Sequence, residues 1–275
     1  LALIGVFDSG VGGLSILDEA LRQLPVHDYI YLADSANAPY GEKTSEWIAQ
    51  RSLALCHYLA GAGCDAIMVA CNTATAEAIA QIRSNIKLPI IGVEPGIKPA
   101  AMQTQNGIVG VLATEATLKS DKFNALLATL PSGCRFIKQA GAGLVPLIEA
   151  GHADSKETLD LLAQHLEPIL QAGADTIVLG CTHYPFLRKA IRTLLGDSIT
   201  LIDTSDAVVK QLQRQLELCK ASEGLLENSS SAKNAGSVTF VSSQDENRLL
   251  FMAKDLMRCD LATHVVDARL LSGVQ

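Results

Sequence analysis

Ala66-Ile67-Met68-Val69-Ala70-Cys71-Asn72-Thr73-Ala74-Thr75 is the stretch on which the fold turns. Its first half is a short unbroken apolar run, the pattern of a strand buried on both faces. Its second half switches to Asn, Thr and Thr, whose side-chain oxygens can accept from the free N–H groups of a first helical turn. A strand over Ala66–Ala70 therefore leads almost directly into a helix over Thr75–Asn85. Residues 176–183, Thr-Ile-Val-Leu-Gly-Cys-Thr-His, repeat the design: a strand over Thr176–Leu179, a glycine, a cysteine, then small polar residues.

Working outward, further strands are predicted at Leu3–Phe7, Tyr29–Ala33, Ile90–Val93, Ile108–Leu112, Arg135–Gln139, Thr200–Ile202 and Val238–Val241. Helical patterns lie at Leu14–Leu24, Ser45–Gly61, Leu144–Ala150, Glu157–Gln171, Pro185–Leu195, Asp206–Cys219 and about Gln244 to Arg258. Two show a buried stripe at helical spacing: Val208, Leu212, Leu216 and Cys219, and Leu159, Leu162, Leu166 and Ile169, where Pro168 should kink the helix. Strands alternating with helices argue for parallel sheets joined by helical crossovers. A second echo strengthens the first: Gly5-Val6-Phe7-Asp8-Ser9 resembles Gly110-Val111-Leu112-Ala113-Thr114. Both recur after about 105–110 residues, too long a period for a solenoid. The expected fold is therefore α/β, with two similar doubly wound parallel-sheet lobes facing each other and the active site in the cleft between them. A chain of 275 residues suits two lobes of ordinary size.

Composition narrows the function. Hydrophobic residues make up 48% and the net charge is −7, with no Lys/Arg cluster, which argues against nucleic acid as a partner. The acidic balance gives no general attraction for an anionic substrate, which must be held by local donors such as helix-start N–H groups. No run approaches the roughly 20 apolar residues of a membrane helix, so no membrane association is expected. Leu1–Phe7 lacks the basic region and length of a signal peptide. Seven cysteines, an odd number without C-x-x-C spacing, argue against a disulfide framework or a zinc site. A cytoplasmic location with free thiols is expected. Residues 228–237, rich in Ser and Asn, read as a solvated loop without a function.

Ligands in open α/β sheets bind at the carboxyl ends of strands, where Cys71 and Cys181 fall. A lone cysteine is commonly a small buried apolar residue; two in matching contexts point to function. A helix start beside each should also lower its thiol pKa. Cys56, Cys64, Cys134, Cys219 and Cys259 lack that context and read as structural. Asp8-Ser9-Gly10-Val11-Gly12-Gly13 follows a strand and opens a helix. It fails as a dinucleotide loop, which needs a third glycine at Ser15, and as a Walker loop, which needs Lys where Ile16 stands. Either it is a tight turn, or it aims Asp8 and Ser9 into a cleft. Pro39-Tyr40-Gly41 reads as a turn, and His183 is placed to share a proton with Cys181. Glu149 alone would read as a surface residue.

Four ordered motifs, Asp8–Leu14, Pro39–Gly41, Ala70–Ala74 and Gly180–Pro185, resemble those of the bacterial glutamate racemases. The resemblance runs from about residue 3 to about residue 205 and more loosely beyond. It implies a first lobe of residues 1–95 plus 206–275 and a second of 96–205. It implies cofactor-independent racemisation, with neither pyridoxal phosphate, metal nor nucleotide, giving D-glutamate for peptidoglycan. By resemblance, Cys71 and Cys181 are the acid/base pair. Asp8, Ser9, Tyr40, Gly41, Asn72, Thr73, Thr182 and His183 would bind glutamate, with Thr114 and Thr117 as further contacts and Glu149 as a carboxylate near the second cysteine. Asp8 would tune Cys71, and His183 or Glu149 would tune Cys181. An aspartate racemase, a one-thiol decarboxylase relative, a two-lobed solute-binding protein and a redox protein are the competing readings. Oligomeric state, including a homodimer, stays open.

Overall fold

The strands predicted around the two cysteines form the middles of two separate sheets. The computed structural model describes residues 1–130, 133–222 and 235–274; residues 228–234 of the Ser-rich stretch lie outside them. Ten strands occur among the described residues: β1 (Leu3–Asp8), β2 (Asp28–Ala33), β3 (Ala66–Val69), β4 (Ile90–Gly92), β5 (Ile108–Ala113), β6 (Arg135–Ala140), β7 (Thr176–Gly180), β8 (Thr200–Ile202), β9 (Ser237–Ser242) and β10 (Val265–Leu270). They order as β10-β9-β2-β1-β3-β4 in one sheet and β6-β5-β7-β8 in the other. Every pairing is parallel.

The order β2-β1-β3-β4 is repeated by β6-β5-β7-β8, and the register repeats with it. Phe7 lies opposite Val69 in one sheet, as Leu112 lies opposite Leu179 in the other. The faint sequence echo is thus a structural equivalence: Phe7 matches Leu112, Asp8 matches Ala113, and Cys71 matches Cys181. In each sheet the chain reverses its direction of winding beside the first strand, which opens a crevice at the carboxyl ends of β1 and β3 and of β5 and β7.

Burial follows the same logic. The central strands β3 and β7 are buried throughout, as apolar runs covered by helices on both faces require. The edge strands β6 and β10 contain no buried residue and carry charged residues. One core cluster joins Val6, Tyr31 and Phe240 of the larger sheet to Leu112, Ile177 and Leu179 of the smaller, so apolar packing is continuous between them. Two further clusters fill the outer faces, one around Phe7, Leu55 and Ile79 and one around Val111, Phe123 and Val178.

Helix Lys156–Gln171 contains Pro168 and continues to Gln171. Two details differ from expectation. Three short helices, Ile97–Gln103, Glu115–Lys119 and Asp121–Ala128, were not foreseen, because each is too brief to show a helical period. Strand β10 was missed because Asp267 and Arg269 interrupt its apolar pattern, which an exposed edge tolerates.

Candidate active site

Cys71 ends the strand run of β3 and caps helix Asn72–Asn85. Its Sγ accepts from the N–H of Ala74 at 3.5 Å and lies 3.6 Å from the Ser9 hydroxyl. Cys181 follows β7, but a turn and the short 3-10 helix Tyr184–Leu187 separate it from helix Arg188–Leu195. The two thiols therefore share a strand end and not a helix start. At Cys71 the expected lowering of the thiol pKa does not hold. Burial, reinforced by the nearby Asp8 charge, pushes that thiol up to about 12, and the Ala74 N–H offsets only part of it.

Each thiol has its own partner. Asp8, at the end of β1 and fully buried, stands close enough to Cys71 to influence its charge. Burial raises the Asp8 carboxyl to about 6, although His183 and the Gly10 N–H oppose the rise. Beside Cys181, His183 Nδ1 lies 3.7 Å from Sγ. Its Nε2 lies 2.6 Å from Glu149 Oε1. Burial alone would lower the His183 pKa, but its bonds to Cys181 and Glu149 hold it well above the ordinary value. Burial likewise opposes ionisation of Glu149, yet His183 and the Val11 N–H keep its carboxyl below the usual range. The two sets meet, because the Thr182 hydroxyl donates to Asp8 Oδ2 at 3.1 Å across the junction between the sheets.

The Gly10–Gly13 turn makes this meeting sterically feasible. Its glycines are not left-handed. A Cβ at Gly10 would fall 1.9 Å from Glu149 Oε1, and one at Gly12 would fall 2.2 Å from His183 Nδ1. The turn is thus tight because side chains of the other sheet press against it. Its carbonyl at Gly10 accepts from the Tyr31 hydroxyl at 2.7 Å, its Val11 N–H donates to Glu149 at 2.8 Å, and the Asp8 carboxylate accepts the Gly10 N–H at 2.7 Å.

The remaining predicted residues fall into two groups. Ser9, Asn72, Thr73, Thr117 and Thr182 are all buried near the thiols. Thr73 and Thr114 approach at 3.0 Å between hydroxyls, and Thr114 donates on to Thr117 at 2.9 Å, a second bridge between the sheets. Asn72 donates its amide to the Val93 carbonyl at 3.3 Å. Gly41 packs against Thr114. Tyr40 is different: its hydroxyl donates to Asp34 Oδ2 at 2.6 Å, and Arg51 grips the same carboxylate with two N–H groups at 2.9 and 2.8 Å. Asp34 and Arg51 escaped the sequence reading, since neither lies in a recognisable pattern. So did Ser15, whose hydroxyl donates to the Thr182 carbonyl at 2.9 Å, and Arg248, which donates to the Glu149 carbonyl at 2.9 Å.

Among the described residues none of the other five cysteines forms a disulfide, and none falls within the four motifs. Among the described residues no group of three or more His, Cys, Asp or Glu side chains is arranged to hold a metal ion, and no helix is long and apolar enough to cross a membrane. A cavity of about 530 Å³ adjoins the site, lined by Val11, Pro39, Glu149 and Arg248 among others. The chemistry available is proton transfer: two sulfurs, one served by a carboxylate and one by an imidazole–carboxylate pair.

Comparison with known proteins agrees with this geometry. The chain is 55% identical over 215 residues to a glutamate racemase of Ralstonia nicotianae, covering 78% of each chain. It is 51% identical over 216 residues to that of Ectopseudomonas mendocina, covering 78% of this chain and 82% of the other. Among solved structures, the Escherichia coli glutamate racemase in complex with L-glutamate and the activator UDP-MurNAc-Ala superposes with a TM-score of 0.81 at 32% identity, covering 98% of this chain and 99% of that one. A glutamate racemase isoform of Bacillus anthracis gives 0.82 at 28% identity, covering 98% and 97%. The two parallel sheets are those of this two-lobed fold. The family model for Asp/Glu/Hydantoin racemases matches residues 4–212, and with the thiols standing at the same place in both sheets, the chain belongs to that racemase family.

Proposed function

We propose that the chain interconverts L- and D-glutamate by passing the α-proton between Cys71 and Cys181. The observation that carries this reading is the equivalent placement of the two thiols, each at the winding reversal of its own sheet, in one connected network. Racemisation removes a hydrogen from one face of Cα and returns one to the other. A thiolate on one face takes the α-proton, the thiol on the opposite face delivers its proton to the carbanion, and the two sulfurs end with their protonation states exchanged. The α-proton is weakly acidic, so donors around the α-carboxylate must stabilise the carbanion. Ser9, Asn72, Thr73, Thr114, Thr117 and Thr182 are the candidates. Tyr40 contributes through the backbone of Tyr40-Gly41, because its hydroxyl is already committed to Asp34. Neither metal nor organic cofactor enters this reaction. Residues 1–95 with 206–275 would form one lobe and 96–205 the other, a division supported by sheet membership. A cytoplasmic enzyme supplying D-glutamate to peptidoglycan synthesis is the corresponding role.

Solvent labelling tests the mechanism. In deuterated water, L-glutamate should give D-glutamate carrying deuterium at Cα from the earliest conversion, while unreacted L-glutamate stays largely unlabelled. Starting from D-glutamate should give the mirror result. Product that retains the original hydrogen in either direction rules out the two-thiol transfer; turnover of aspartate in place of glutamate would reassign the substrate.

A further inference from the structure

The carboxylate that orients His183 has a weak mooring of its own. Glu149 is the last residue of Leu144–Glu149, a helix of only 6 residues. The carbonyls at a helix end lack intrahelical partners and must find others. Here the backbone takes up those of Pro146, Leu147 and Ile148, through the N–H groups of Ala150, His152 and Gly151. The Glu149 carbonyl is taken by Arg248, whose Nη2 donates to it at 2.9 Å.

Arg248 arrives from the other side of the junction. It lies in helix Glu246–Leu256, which follows β9 of the larger sheet. Its own position is fixed from that sheet outward. Ser242, fully buried at the end of β9, accepts the N–H groups of Gln244 and Asp245 at 3.2 and 3.1 Å. Asp245 in turn accepts the Arg248 N–H at 2.9 Å. Among the described residues no carboxylate lies within ion-pair distance of the guanidinium, so its charge acts on the helix end and on the Glu149 carboxylate. A continuous path therefore runs from β9 through Ser242, Asp245 and Arg248 to Glu149, His183 and Cys181.

We propose that Arg248 is a positioning residue for the Cys181 half of the reaction, clasping the Glu149 backbone so that its carboxylate holds His183 against the thiol. The proposal rests on the two-thiol reading above. Because the donor belongs to one sheet's elements and the acceptor to the other's, the clasp also registers the two lobes at the point where proton transfer needs them aligned. Misplacing an orienting group by about 1 Å can cost as much as about a hundredfold in rate. Losing one of the three contacts on Glu149 should therefore cost about tenfold.

The test compares Arg248→Met with the natural protein, with Arg248→Lys as the conservative variant. In the Met variant kcat should fall about tenfold with both enantiomers, KM should move by less than about threefold, and the Lys variant should recover most of the loss. The two directions control each other, because enantiomers have equal free energies and kcat/KM must fall by the same factor in both. Alkylation by iodoacetamide, followed peptide by peptide, gives a readout independent of turnover. Cys181 should react several-fold more slowly in the Met variant while Cys71 is unchanged, since reactivity follows the thiolate fraction. Unchanged kcat and an unchanged alkylation ratio would overturn the proposal. Equal changes at both thiols would overturn it too, since they indicate general loosening. Should the Met variant not fold, Arg248→Ala, which likewise removes the donor and the charge, gives the same comparisons. A natural protein that alkylates at both sites yet turns over no glutamate would count against the functional reading alone.

Discussion

Replacing Asp8 by Asn should stabilise the protein at neutral pH while removing its activity. Asp8 is fully buried, and burial raises its carboxyl from 3.8 to about 6. A carboxyl whose folded pKa is raised contributes stability that is fully present below its unfolded pKa and lost as pH rises through its folded pKa. The relevant window is thus pH 3.8 to about 6, and the loss across it is about 3 kcal/mol. Above that window the natural protein carries the full cost of an ionised buried carboxylate, and the Asn variant does not. The hydrogen bonds survive the exchange: the Asn carbonyl can still accept the Gly10 N–H, and its amino group can donate to the Thr182 hydroxyl once that rotates. Urea unfolding of both proteins, followed by circular dichroism between pH 4 and 7.5, measures the difference. The advantage of the variant should grow by about 3 kcal/mol from the acid to the neutral end. Glutamate racemisation should fall by at least about a hundredfold. A stability difference that stays flat with pH would show that Asp8 is not held ionised at a cost, and would remove the reason for placing it beside Cys71.

Other substitutions probe the site. Cys71→Ala and Cys181→Ala should each abolish racemisation in a folded protein, whereas alanine at Cys56, Cys64, Cys134, Cys219 or Cys259 should leave turnover intact; chiral assay of glutamate decides it. Gly12→Ala places a methyl 2.2 Å from His183 Nδ1, so kcat should drop by about tenfold or more while circular dichroism stays native. Arg51→Ala leaves the fully buried Asp34 charge unpaired and should cost about 3–5 kcal/mol of stability, with a raised KM for glutamate because Tyr40 and Gly41 lose their support; unchanged KM would separate that ion pair from the substrate loop.

The parts of this molecule legible in its sequence were those written in runs. The strand around Val69 and the helix after it announce themselves within ten residues, and the same pattern at residues 176–183 announced the second sheet. Cys71, Cys181 and His183 came with them, whereas the binding residues beside them came only from the resemblance of the motifs. What stayed hidden was set by contacts between distant segments. The Gly10–Gly13 turn reads the same whether it makes a tight corner or leaves room for His183, because the side chain that excludes a Cβ at Gly12 lies 171 residues away in the chain. Arg248 reaches the Glu149 carbonyl, and Arg51 reaches the Asp34 carboxylate and the Val274 carbonyl; a lone arginine in a helix carries no periodicity to mark it. The helix-start argument for both thiols failed for a similar reason: composition cannot distinguish a helix from the turn that follows Cys181, nor weigh a helix N-terminus against burial at Cys71.

The repeated lobe explains two thiols. Transfer across Cα also needs a thiolate on one face and a thiol on the other. The two lobes break the equivalence at positions that the shared register identifies. Where the first sheet ends β1 with Asp8, the second ends β5 with Ala113. Two residues past each thiol, the first lobe has Thr73 and the second has His183. An anion beside a sulfur favours the neutral thiol, and a cation beside it favours the thiolate. Above about pH 6 Asp8 is that anion for Cys71, while His183, holding its proton through Glu149, is the cation for Cys181. On the two-thiol reading, the lobes are alike in backbone so that the sulfurs face one substrate. They differ in these two side chains, so that each sulfur has its own proton-exchange partner in whichever direction the reaction runs.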